Sequence, residues 1–124
     1  MIVKQIEINV GWGKICGQIF GDPSNAKPVV ALHGFLDNSN SFRPLATHLT
    51  REQKYYIIAI DLPGMGLSSK IPDGIPYSTK FYVMSIRRVV KHFNLDKFTF
   101  LAHSFGCSLA LAVKHTHTQT LFFF

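Results

Sequence analysis

The chain has 124 residues, room for one small domain, and its 47% hydrophobic and 16% charged residues exclude a disordered polar segment. The net charge of +6 comes from 13 Lys/Arg against 7 Asp/Glu. These basic residues are scattered from Lys4 to Lys114 without an aromatic-interleaved run, which argues against a nucleic-acid partner, and no apolar stretch is long enough to cross a bilayer as a helix.

Residues Ile2 to Val10 alternate apolar and polar side chains, the period of a strand and not of a secretory or transit leader, so the expected compartment is the cytoplasm. Gly11-Trp12-Gly13 reads as a turn, and Lys14 to Phe20 as the second strand of a hairpin. Turn formers fill Gly21 to Asn25. Pro28 to Leu32 is short and wholly apolar, as in a strand buried on both faces of a parallel sheet, and runs into His33-Gly34-Phe35-Leu36-Asp37-Asn38. A helix is expected from about Ser41 to Leu49, with Phe42, Leu45, Ala46 and Leu49 on one face.

Tyr55 to Ile60 is another buried strand, ending in Asp61-Leu62-Pro63-Gly64-Met65-Gly66-Leu67-Ser68-Ser69. The clearest helix runs from about Ser78 to Phe93, where Tyr82, Ile86, Val89, Val90 and Phe93 make an apolar stripe at helical spacing. Lys80, Arg87 and Lys91 fall opposite and read as a solvated face. Asn94 to Asp96 turns the chain into a strand from Phe98, and Cys107 to Val113 is a run of helix formers. The order is that of an α/β protein with a mainly parallel sheet after an antiparallel pair and helices on both faces. Cys16 and Cys107 lie far apart and are expected as free thiols.

Between the last strand and helix lies Ala102-His103-Ser104-Phe105-Gly106, one residue from G-x-S-x-G. In a strand–turn–helix setting that pattern is a nucleophile elbow, which holds a serine Oγ out at the top of a sheet. Ala102 and Gly106 are small because strand and helix backbones nearly touch there. Ser104 is the candidate nucleophile and needs a neighbouring base. Attack on an acyl carbon builds an oxyanion, and the backbone N–H groups of Phe35 and Phe105 are its candidate donors. Gly34 permits the tight approach, and His33 and His103 are assigned supporting roles. The glycines after Asp61 lack the third glycine of a dinucleotide loop, since Ser69 stands there, so the segment reads as a structured rim. All three polar segments follow the carboxyl ends of strands, where α/β sheets place their sites.

The combination of Leu32-His-Gly-Phe-Leu-Asp-Asn38, Ser41-Phe42, Asp61-Leu-Pro-Gly-Met-Gly-Leu-Ser-Ser69, Ile86-Arg-Arg-Val-Val90 and His103-Ser-Phe-Gly106 resembles the α/β-hydrolase fold, and more narrowly its serine hydrolase-like branch, from about Trp12 to Val113. The resemblance implies a Ser104 nucleophile, Phe35 and Phe105 as oxyanion donors, a small acyl substrate, and neither metal nor cofactor. It also implies a triad in the order Ser, acid, His. Ala102 and Cys107 depart from the more usual glycines. After Ser104 there is no Asp or Glu, and the later histidines are His115 and His117 alone.

The expectation is therefore the N-terminal half of such a fold, with residues 1–114 as a partial domain and 115–124 as a tail that looks non-native. A metal site at His115 and His117 lacks a third ligand. A second reading is a non-catalytic fragment, either an interaction partner of a full-length copy or a product with no role. On either reading the strand from Phe98 is expected to be an open apolar edge, giving poor solubility or calling for a partner. The His-Thr alternation and terminal Phe run resemble translated CA and T repeats. Full-length transcript sequencing is expected to show the main message diverging after about Val113, and a dominant message encoding this C-terminus would refute that.

Overall fold

The computed structural model describes residues 1–114 and 119–123. Its strands are β1 (Val3–Asn9), β2 (Lys14–Phe20), β3 (Lys27–Leu32), β4 (Tyr55–Ile60), β5 (Phe98–Ala102) and β6 (Gln119–Phe123). They form one six-stranded sheet in the order β1-β2-β4-β3-β5-β6. The first two pair antiparallel as expected, β2 also runs antiparallel to β4, and β4-β3-β5-β6 are parallel. Gly17 sets the β2–β4 spacing: a Cβ there would lie 2.3 Å from the Ala59 carbonyl oxygen, so only glycine permits this approach.

Alternation along the central strands sorts their side chains onto two buried faces. Val30, Leu32, Ile58, Ile60, Phe100 and Ala102 pack against helices α2 (Thr79–His92) and α3 (Phe105–Lys114). Val29, Ala31, Ile57, Ala59 and Leu101 face helix α1 (Arg43–Leu49) through Phe42 and Ala46. Both faces are covered, which is why these strands carry nearly continuous apolar runs.

The helix expected from Ser41 divides in two. Residues Ser39–Phe42 form a 3₁₀ turn started by Asn38, whose side chain accepts from the Asn40 N–H, and α1 begins at Arg43. Pro44 explains the change, since a proline fits the first turn of an α-helix but not its interior. Helix α2 matches its apolar stripe. Ser78 caps it by accepting from the Phe81 N–H at 3.2 Å. Its other end is a Schellman motif: Asn94 takes φ +53°, its N–H donates to the Lys91 carbonyl, and the Leu95 N–H reaches the Val90 carbonyl at 3.1 Å. Lys80 and Lys91 are exposed, whereas Arg87 is half-buried and its Nε has no partner among the described residues, so the face is less solvated than expected.

The largest correction concerns β5. It was expected at an open edge, yet its residues Phe98 to Ala102 pair in parallel with Gln119 to Phe123 of β6. An unbroken apolar run gives no alternation to read, but Thr and Phe favour a strand, and β5 offers unpaired backbone groups on that side. Regular structure thus resumes beyond Lys114. His115 and His117 lie outside the described residues.

Candidate active site

Three parallel strands end side by side, and the loops leaving β3, β4 and β5 meet at their carboxyl ends. Ser104 sits between β5 and α3 at φ +53° and is exposed. A serine gains nothing from the left-handed region by itself, so surrounding contacts must hold it there. The His103 N–H donates to the Leu32 carbonyl at 3.0 Å, the Gly106 N–H to the His103 carbonyl at 3.0 Å, and the Cys107 N–H to the Ser104 carbonyl at 2.9 Å. The Cys107 thiol reaches back to the Ala102 carbonyl at 3.3 Å. A Cβ on Gly106 would lie 2.3 Å from the Leu32 carbonyl oxygen and 2.9 Å from that of His33. The expected steric need at this position is therefore met, and Ala102, fully buried, fits at the end of β5.

Gly34 brings the loop after β3 onto this turn, where a Cβ on it would stand 3.4 Å from Ser104 Cβ and 3.3 Å from His103 Cδ2. The loop closes with the Asp37 N–H on the Gly34 carbonyl at 3.1 Å and Leu36 at φ +62°, a positive angle in the third turn position as in a type II turn. Among the described residues, the N–H groups of Phe35 and Phe105 have no hydrogen-bond partner. The two side chains meet edge to face with ring centroids 6.0 Å apart. The aromatic row continues from Phe105 to Tyr82 at 5.3 Å and on to Tyr77 at 6.3 Å.

His33 is fully buried beneath the loop. Its Nε2 is 2.9 Å from the Leu62 N–H, which can only donate, so Nε2 accepts and the proton sits on Nδ1, 2.6 Å from the Gly34 carbonyl oxygen. Burial holds the imidazole below its ordinary pKa, with the Gly34 hydrogen bond and the Asp61 and Asp37 carboxylates acting in the opposite sense. With both nitrogens engaged, His33 is a support and not a base. Asp61, also buried, accepts from the Ser39 N–H at 2.7 Å and the Leu67 N–H at 3.1 Å. Ser68 Oγ donates to the Asp61 carbonyl at 2.6 Å and accepts from the Cys16 N–H at 2.9 Å. The rim after β4 is thus a built loop, as its glycines implied. Leu62 and Ser68 stood in the quoted rim segment, but their partners His33 and Cys16, and the contact of Ser39 with Asp61, carried no signal because they are distant along the chain.

Two outcomes follow from this geometry. Gly106→Ala is expected to cost about 3 kcal/mol or more, since backbone and not a flexible side chain occupies the space; chemical denaturation reads it, and an unchanged midpoint would refute the contact. His33 has a pKa below its unfolded value, so the unfolded chain binds the extra proton first. Stability is then complete above about pH 6.5 and falls as the pH drops below that value, by up to about 1.4 kcal/mol per unit, until the folded pKa is passed. Denaturant midpoints across that window test this, with His33→Gln expected to flatten the slope.

Among the described residues no helix is long and apolar enough to cross a membrane. The family model described as alpha/beta hydrolase fold matches residues 27–120. A serine hydrolase-like protein of Danio rerio is 42% identical over 107 residues, covering 86% of this chain and 32% of the relative. One of Homo sapiens is 39% identical over 105 residues, covering 85% and 50%. A hypothetical protein of Pseudomonas aeruginosa superposes with a TM-score of 0.85 at 29% identity, over 95% of this chain and 40% of that structure. The chain thus spans half or less of the length of each. With the sheet order, the helices on both faces and the matched residues in agreement, the chain belongs to the alpha/beta hydrolase fold family.

Proposed function

We propose that this chain carries the nucleophile and the oxyanion donors of a serine hydrolase that cleaves carboxylic esters or similar acyl compounds. The observation that carries the reading is Ser104, exposed at φ +53° on a turn packed against the loop of Gly34, with the N–H groups of Phe35 and Phe105 beside it lacking a partner among the described residues. Ser104 Oγ attacks the acyl carbon and its proton passes to a base. The carbonyl oxygen, now negative, takes hydrogen bonds from Phe35 and Phe105. Collapse expels the leaving group and leaves an acyl-serine, which water then hydrolyses. The aromatic row from Phe35 to Tyr77 favours an apolar acyl group. The two unpaired thiols fit a reducing compartment such as the cytoplasm.

On this reading the triad acid and its histidine are not supplied by this chain, in which no Asp or Glu follows Ser104. A second reading is favoured by one fact, that no Asp or Glu follows Ser104 in the sequence. On that reading the chain is non-catalytic by itself and acts by associating with a full-length copy. A fluorophosphonate probe separates these. Any adduct is expected on Ser104, located by peptide mass and absent in Ser104→Ala. The chain alone is expected to label at least ~10³-fold more slowly than an intact serine hydrolase. Rapid labelling would place the base within the chain, and an adduct elsewhere would refute Ser104.

A further inference from the structure

We propose that His33 is a positioning residue for the oxyanion site, and that its ring sets the direction of the Phe35 N–H by holding the other end of the same peptide unit. The proposal rests on the reading of Phe35 as an oxyanion donor. A peptide bond is planar and normally trans, so its C=O and N–H point in opposite directions. The Gly34 carbonyl and the Phe35 N–H belong to one such unit. The carbonyl is drawn inward by two donors, His33 Nδ1–H at 2.6 Å and the Asp37 N–H at 3.1 Å. The Phe35 N–H is therefore turned away from the buried ring, and it has no acceptor among the described residues.

The turn alone does not fix this plane, because the Asp37 bond comes from the same exposed loop, where Leu36 stands at φ +62°. His33 anchors it to the scaffold. Its Nε2 is held at 2.9 Å by the N–H of Leu62, a fully buried residue just past the end of β4. The imidazole is a rigid spacer between that fixed donor and the carbonyl end of the Gly34–Phe35 peptide. Such a spacer works in one protonation state. A proton on Nε2 would face the Leu62 N–H, donor against donor, and the ring would leave its place. The ionisable groups acting on the ring are Asp61 and Asp37. Asp61 has its two oxygens engaged by Ser39 and Leu67, and Asp37 accepts from the Asn38 N–H at 2.9 Å.

Amide NMR spectra of the 124-residue chain, followed from about pH 8 to about pH 5, test the spacer without any variant. The Phe35 and Leu62 signals are expected to shift with one midpoint, that of the His33 ring, below the ordinary histidine value. A Leu62 signal that titrates while Phe35 stays still would overturn the proposal. In His33→Asn the side-chain amide can still donate to the Gly34 carbonyl but offers Leu62 no ring nitrogen. The Phe35 signal is then expected near its original position without pH dependence, whereas His33→Ala displaces it. Equal displacement in both variants would overturn the proposal. No chemistry at Ser104 is involved, so this experiment and the fluorophosphonate labelling fail independently.

Discussion

The start of α3 crosses the end of β3 so closely that residue 106 can carry no side chain. Everything at the candidate site is placed by that approach. It forces the chain to reverse within two residues of β5, which leaves Ser104 in the left-handed region and standing clear of the sheet. It also brings the first free N–H of α3 beside the loop from β3, because strand and helix share the Leu32–His33 backbone as a common wall. A wider crossing would relax Ser104 and separate the two unpartnered N–H groups at once.

Polar groups beneath the loops convert that close packing into a defined arrangement. Apolar contacts set distances but leave loops free to slide, whereas His33 and Asp61 each bind the loops after β3 and β4 together, and Ser68 ties the loop after β4 to strand β2. A buried donor or acceptor left without a partner costs more than a surface one, so these braces fix the loops at single positions. Phe35 and Leu36, in contrast, stand 64% and 78% exposed above them. The loop is thus braced below by buried polar groups and open to solvent above.

The strands from Lys14 to Phe20 and from Tyr55 to Ile60 were legible to the residue, because apolar runs between turn formers have few alternatives. The helix from Thr79 was legible from its apolar stripe at helical spacing, and its cap at Ser78 and turn at Asn94 follow from local chemistry. Pro44 moved the start of α1, a local effect outweighing a periodic one. The strand at Gln119–Phe123 escaped because its pattern has no period and its pairing depends on β5. At the site, Ser104, Gly34 and Gly106 were visible as a motif with a steric reason. The wiring of His33 was not, since it links residues 33 and 62 only after two strands lie side by side.

The register of β5 also bears on the order in which the molecule assembles. Val29 pairs with Thr99 and Leu32 with Ala102, so the strand bearing the serine turn inserts beside a partner most of the chain away. The β1–β2 hairpin closes over a short loop, and β4 reaches β3 through a single crossover. Contacts of long sequence separation carry the largest closure entropy and form slowly. Docking of β5 is thus the late step, and the left-handed serine appears only with it. Much of the main core waits on the same step, since Phe98, Phe100 and Ala102 of β5 and Leu109, Ala110 and Val113 of α3 belong to it.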